Sequence, residues 1–108
     1  MFHTSYFRDS YNDFKSALKS YDKNFNENLF LKAIEVAETS HKDQFRASGD
    51  PYIVHPYEVC KSLIDLKLDT ETVITGLLHD VIEDTSYSSE QLNKEFGSSI
   101  FNLVNGLT

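Results

Sequence analysis

Apolar residues recur along this chain at intervals of three and four rather than two, a spacing that predicts helices and no sheet. Tyr11, Phe14, Leu18 and Tyr21 mark a short helix over 11–21, preceded by residues 1–10 with no clear period, which are expected to be frayed or loosely packed. After the turn-like Asp22-Lys23-Asn24, either Asn26 or Asn28 caps a long helix running to about Phe45, with Phe30, Ala33, Ile34, Ala37, His41 and Gln44 on one stripe. Gly49 and Pro51 stop it, and Tyr52 to His55 reads as a short extended piece. Pro56 suits the first turn of the next helix and makes His55 its cap; Val59, Cys60, Leu63, Ile64 and Leu66 give that helix its apolar face. Asp69 or Thr70 opens a fourth helix that ends at Thr85 and Ser86. Ser88 with Gln91 forms a capping box for a short helix to Phe96, stopped by Gly97. Ser98 or Ser99 begins the last helix, which carries Ile100, Phe101, Leu103, Val104 and Leu107. The expected architecture is all-α, about six helices.

On the fourth helix, Val73, Ile74, Leu77, Leu78, Val81 and Ile82 fill one half of the wheel and form its core face. His79, Glu83, Gly76 and Asp80 fall on the opposite half, with Asp84 at its rim, so one imidazole and several carboxylates project together. Such a set can hold a divalent cation through nitrogen and oxygen. The bland alternative is a solvated, charged helix end. Adjacent residues turn by about 100°, so His79 and Asp80 can only be neighbours on an ion's sphere, and further ligands must come from elsewhere. His55, fixed at a helix entrance beside Pro56, is one candidate; a surface histidine before proline is its alternative. His41 reads as a buried histidine satisfied by a hydrogen bond.

Composition narrows the classes. The chain has 108 residues, 40% hydrophobic and 13% aromatic, which suits one small globular domain. A net charge of −7, from 17 acids against 10 bases, leaves no basic surface for nucleic acid. Cys60 is the single cysteine, which excludes an internal disulfide; its place in the apolar set makes it core rather than nucleophile. No apolar run approaches the roughly 20 residues that span a bilayer, and no secretion signal opens the chain, so a cytoplasmic protein without membrane contact is expected.

Four blocks occur in order: Gln44-x-Arg46-x-Ser48-Gly49-Asp50-Pro51-Tyr52-Ile53-Val54-His55-Pro56; His79-Asp80-Val81-Ile82-Glu83-Asp84-Thr85; Phe96-Gly97; and Leu103-Val104-Asn105-Gly106-Leu107-Thr108. Together they resemble the amino-terminal hydrolase region of the RelA/SpoT homologues, the stringent-response enzymes of guanosine tetra- and pentaphosphate, over roughly residues 27–108. The resemblance implies an HD-type helical phosphohydrolase domain there, behind an amino-terminal segment, 1–26. It implies a Mn²⁺ ion on His55, His79 and Asp80, an acidic pair, Glu83 and Asp84, that orients or activates water, and nucleotide contacts from Arg46 and Ser48. No catalytic role passes to His41. The implied reaction removes the 3′-pyrophosphate to give GDP or GTP. Ala47 stands where the family usually has Lys, and Asp50 where it has Glu. The family continues beyond Thr108 with a fourth ligand, an Asp, so the sequence reads as a truncated domain lacking its carboxy-terminal part. The alternative function is an inert remnant that binds nucleotide, or pairs with another copy or a complementary chain through an apolar face left open on the last helix.

Overall fold

The structure is a computed structural model that describes the backbone of residues 5–107 and the side chains of residues 8–106. It contains six helices: α1 (Ser5–Tyr21), α2 (Glu27–Ser40), α3 (Val54–Asp65), α4 (Thr70–Asp84), α5 (Ser89–Phe96) and α6 (Ser98–Leu107). Among the described residues there is no strand, only a lone antiparallel bridge between Phe45 and Pro51. The all-α architecture is as expected.

The caps explain several boundaries. Asn26 accepts from Leu29 N–H at α2, and Asp69 accepts from Thr72 N–H at α4. At α5 the Ser88 hydroxyl accepts from Gln91 N–H while Gln91 Oε1 takes the Ser88 N–H, the reciprocal box that the spacing implied. Helix α3 closes in a double turn in which Leu68 N–H reaches Leu63 C=O and Lys67 N–H reaches Ile64 C=O, with Lys67 left-handed at φ 61°.

α4 is the organising element, packed against α2, α3 and α6. Val73, Ile74, Leu77, Leu78 and Val81 are fully buried on it, with Ile82 partly so. α1 lies on α3 and contributes Tyr11, Phe14 and Leu18 to the same core. Its turn is tied to α4: Asp22 accepts both the backbone N–H and the hydroxyl of Thr70, and the Tyr21 hydroxyl donates to Leu68 C=O.

Five expectations need correction. α1 begins at Ser5, so residues 5–10 are helical; residues 1–4 lie outside the described residues. No Gly or Pro interrupts the segment, and once Tyr11, Phe14 and Leu18 anchor a helix its extension is cheap. α2 stops at Ser40 rather than Phe45, because His41 serves as its C-cap and Asp43 turns left-handed at φ 68°. The piece from Tyr52 to His55 is a turn leading into helix, not extended chain. Val54 N–H meets Pro51 C=O and His55 N–H meets Tyr52 C=O, so the cap is Ile53 and His55 sits inside α3. Pro56 then occupies the third helical position, where a missing N–H costs no bond because the first donors of any helix lack helical partners. Leu66 is the C-cap of α3 and is exposed rather than part of its apolar face. Finally, among the described residues, which exclude the side chain of Leu107, α6 leaves only Leu103 of its apolar stripe exposed: Ile100 and Val104 are buried in the common core and Phe101 is half-buried. α6 packs on both α4 and α5, which takes those residues out of water.

Candidate metal centre

The face of α4 opposite its core stripe is not simply solvated. Gly76 lies against α3 so closely that a Cβ built there would stand 2.5 Å from Leu63 Cδ1 and 3.3 Å from Val59 Cγ1. This contact draws α3 alongside α4 at Val59 and Leu63, one turn and more beyond His55. His55 is placed on one side and His79 and Asp80 on the other.

Asp80 is the meeting point. His55 Nε2 lies 3.2 Å from Asp80 Oδ2, and His79 Nδ1 lies 3.3 Å from Asp80 Oδ1, so the two imidazoles take opposite oxygens of one half-buried carboxylate. One turn further, Glu83 Oε1 is 3.8 Å from His79 Nε2. His79, Asp80 and Glu83 each offer a ligand atom within 4.8 Å of the others'. Glu83 thus stands among the atoms able to hold a cation, as its place on the same face of α4 implied, in addition to the water-activating part that the family resemblance implies for it. The donor set fits a divalent first-row ion. A second observation agrees: His79 Nε2 is buried and makes no hydrogen bond, as expected of a nitrogen whose natural partner is a cation.

Val59, Leu63, Thr72 and Gly76 continue from these residues as the wall of an open groove of about 490 Å³ shared with His55, His79 and Asp80. The groove is thus lined by imidazole and carboxylate together with mostly apolar residues.

Asp84 belongs to a different arrangement. Its Oδ2 accepts from the Tyr52 hydroxyl at 2.9 Å, and its backbone carbonyl accepts from Gln44 Nε2 at 3.2 Å. Gln44 and Tyr52 flank a tight hairpin over 45–51 and pair with each other through Tyr52 N–H and Gln44 C=O. Arg46 and Ser48 lie in that hairpin, both exposed; Arg46 N–H donates to Asp50 C=O, and the Ser48 hydroxyl donates to Asp50 Oδ2. Burial, the hydrogen bond to Asp84 and the charges of Asp80 and Asp84 push the Tyr52 phenol up to about 12, while Arg46 pulls the other way. The phenol therefore stands in the field of the α4 carboxylates and of the hairpin's cation. His41 is buried, as expected, with Nδ1 at 3.1 Å from Gln44 Oε1 and its ring stacked on Tyr52 at 4.6 Å. Sequence reasoning missed Tyr52 altogether, since nothing in its spacing signals a partner on α4. Cys60 is fully buried, and burial raises its thiol far above the usual range, in keeping with a core residue.

Among the described residues no helix is long and apolar enough to cross a membrane. A family model described as an HD domain matches residues 33–108. The chain is 43% identical over 94 residues to guanosine-3′,5′-bis(diphosphate) 3′-pyrophosphohydrolase of Borreliella burgdorferi, covering 87% of this chain and 14% of that protein. It is 51% identical over 73 residues to the protein of the same name from Haemophilus influenzae, with coverage of 68% and 11%. A GTP pyrophosphokinase of Myxococcus xanthus is 48% identical over 80 residues, with coverage of 74% and 11%. The chain thus spans only about 11–14% of the length of these curated relatives, while the HD-domain match over residues 33–108 contains the whole candidate centre. HD domains are metal-dependent, in agreement with the donor set around Asp80. With most of its length matched by that domain and its relatives drawn from the guanosine polyphosphate enzymes, the chain belongs to the HD-domain family, on the branch of the RelA/SpoT homologues.

Proposed function

We propose that this chain carries the cation-holding part of a hydrolase that removes the 3′-pyrophosphate of guanosine tetra- or pentaphosphate, releasing GDP or GTP and pyrophosphate. The observation that carries the reading is the convergence of His55 and His79 on opposite oxygens of Asp80. The substrate class comes from the two similar proteins named as guanosine-3′,5′-bis(diphosphate) 3′-pyrophosphohydrolases.

His55, His79 and Asp80 would hold the cation, with Mn²⁺ the ion that the family resemblance implies. When bound, such an ion lowers the pKa of a water and offsets charge on a phosphoryl oxygen. Held by these residues, its charge would offset the field of a chain of net charge −7 where a polyanion has to bind. Glu83, within one turn of His79, accepts the proton that the attacking water gives up. The hydroxyl joins the phosphorus, the bond from phosphorus to the ribose 3′ oxygen breaks, and a proton goes to that oxygen. Arg46 and Ser48 contact the nucleotide from the hairpin, and Asp84 anchors that hairpin while its free oxygen orients water.

Incubation of the chain with Mn²⁺ and guanosine tetraphosphate, followed by chromatography, is expected to yield GDP and pyrophosphate; the Asp80→Asn variant is expected to yield neither. If the wild-type chain releases no pyrophosphate while the Haemophilus influenzae relative does so in parallel, the proposed activity is wrong for this chain.

A further inference from the structure

The contacts around Asp84 join three segments of the chain through residues that the proposed chemistry does not use, His41, Gln44 and Tyr52. Gln44 uses its Nε2 to donate to the Asp84 carbonyl, so its Oε1 is the atom facing His41 Nδ1, and that nitrogen carries the proton and donates. The tautomer of His41 is thereby fixed. Its ring lies flat against Tyr52, with an interplanar angle of 29°, and holds the phenol where its hydroxyl meets Asp84 Oδ2. Tyr52 in turn stands edge-on to His55, with ring centroids 6.2 Å apart. The two residues that bracket the hairpin therefore grip the carboxyl end of α4 twice, once through its backbone and once through a side chain.

We infer that His41, Gln44 and Tyr52 form a clasp that positions the Arg46–Ser48 hairpin against the end of α4, with Tyr52 acting through Asp84 as a positioning residue. The hairpin needs such an anchor. Arg46, Ser48 and Asp50 are all exposed, the tip turns at Gly49 with φ 92°, and the bonds within it, Arg46 N–H to Asp50 C=O, Gly49 N–H to Arg46 C=O and those between Ser48 and Asp50, all lie in solvent-exposed residues. A loop with so little burial opens readily unless its base is held. The clasp holds that base, because Gln44 and Tyr52 are paired across it and both end on Asp84.

Tyr52→Phe tests this with little risk to the fold, since the ring and its stack on His41 remain while the hydroxyl is lost. Amide exchange followed by NMR is expected to speed up by about tenfold at Arg46, Gly49 and Tyr52, the scale of a lost hydrogen bond to a charged acceptor, and to stay unchanged at Leu77 and Leu78. Gln44→Ala removes the other grip and is expected to do the same. In the double variant Tyr52→Phe with Asp84→Ala, exchange at the hairpin should match that of Asp84→Ala alone, because the phenol works through that carboxylate. Unchanged exchange in both single variants, or additive effects in the double, would overturn the clasp.

A second arm rests on the hydrolase reading. With Mn²⁺ present, Tyr52→Phe is expected to raise KM for guanosine tetraphosphate by about tenfold while Mn²⁺ affinity measured by calorimetry stays unchanged. A fall in kcat at constant KM, or a weakened hold on Mn²⁺, would refute the positioning of the hairpin. Should the wild-type chain turn nothing over, the proposed activity fails, and the exchange measurements on the free protein still decide the clasp.

Discussion

His55 and Asp80, far apart along the chain, meet at 3.2 Å between Nε2 and Oδ2, joining the first turn of α3 to the middle of α4. The contact exists because Gly76 lets the two helices approach, and it turns two local sequence features into one site. If that site holds a divalent ion, removing its shared carboxylate is costly. Even partners of metal ligands contribute about 10- to 100-fold to affinity, so Asp80→Ala is expected to weaken Mn²⁺ binding by at least about 100-fold. Titration calorimetry on the folded variant measures this, and an unchanged affinity would place the ion elsewhere.

Gly76→Val tests the helix approach itself. A Cβ at this position meets Leu63 Cδ1 at 2.5 Å, the movable end of that side chain, and the stiffer Val59 Cγ1 at 3.3 Å, so the two added methyls must displace both. Overpacking of this kind costs about 1–3 kcal/mol, more than the better helix propensity of Val over Gly returns. Urea denaturation is expected to show a lower midpoint at an unchanged slope. A variant as stable as the wild type would mean that α3 can draw away freely.

The link from the α1–α2 turn to α4 depends on pH. Hydrogen bonds from the side chain and then the backbone of Thr70 hold the Asp22 carboxyl below its ordinary range, although burial opposes them. With the folded pKa below the unfolded one, this stabilisation is present at pH values above the ordinary carboxylate range. It is lost as pH falls through the depressed folded value. Asp22→Ala is expected to cost about 0.5–2 kcal/mol near neutral pH, the scale of a lost helix cap. The gap between variant and wild type in thermal melts should close at acid pH. A gap that persists unchanged in acid would contradict the role of the ionised carboxylate.

Cys60 offers a probe of opening. Because it is fully buried and its thiol is pushed up by that burial, it is expected to stay unreactive toward a thiol reagent in the native chain and to react once denaturant unfolds it. Prompt labelling under native conditions would show that α3 leaves the core.

Much of this protein was legible without coordinates, for reasons confined to one helix at a time. Side-chain period within a helix is set by its geometry, so Val73, Ile74, Leu77, Leu78 and Val81 could be assigned to the core and His79 with Asp80 to the other face. Caps are equally local: Asn26, Asp69 and the Ser88–Gln91 pair satisfy donors within three residues of themselves. The ordered motifs from Gln44 to Thr85 carried the family resemblance. Local rules failed where a distant partner intervened. The ring of His41 is bound to Gln44 and stacked on Tyr52 where α2 was expected to continue, and the turn at Pro51 drew His55 into α3 despite the proline after it.

The sequence by itself determined the helices, their buried faces and the residue types able to bind a cation, since each follows from neighbours a few positions away. Only the tertiary structure decided that Gly76 is a contact rather than a gap, that two imidazoles share one carboxylate, and that Tyr52 ties the hairpin to Asp84. Those are distances between helices, fixed by how side chains pack across an interface, and no periodicity along a single helix encodes them.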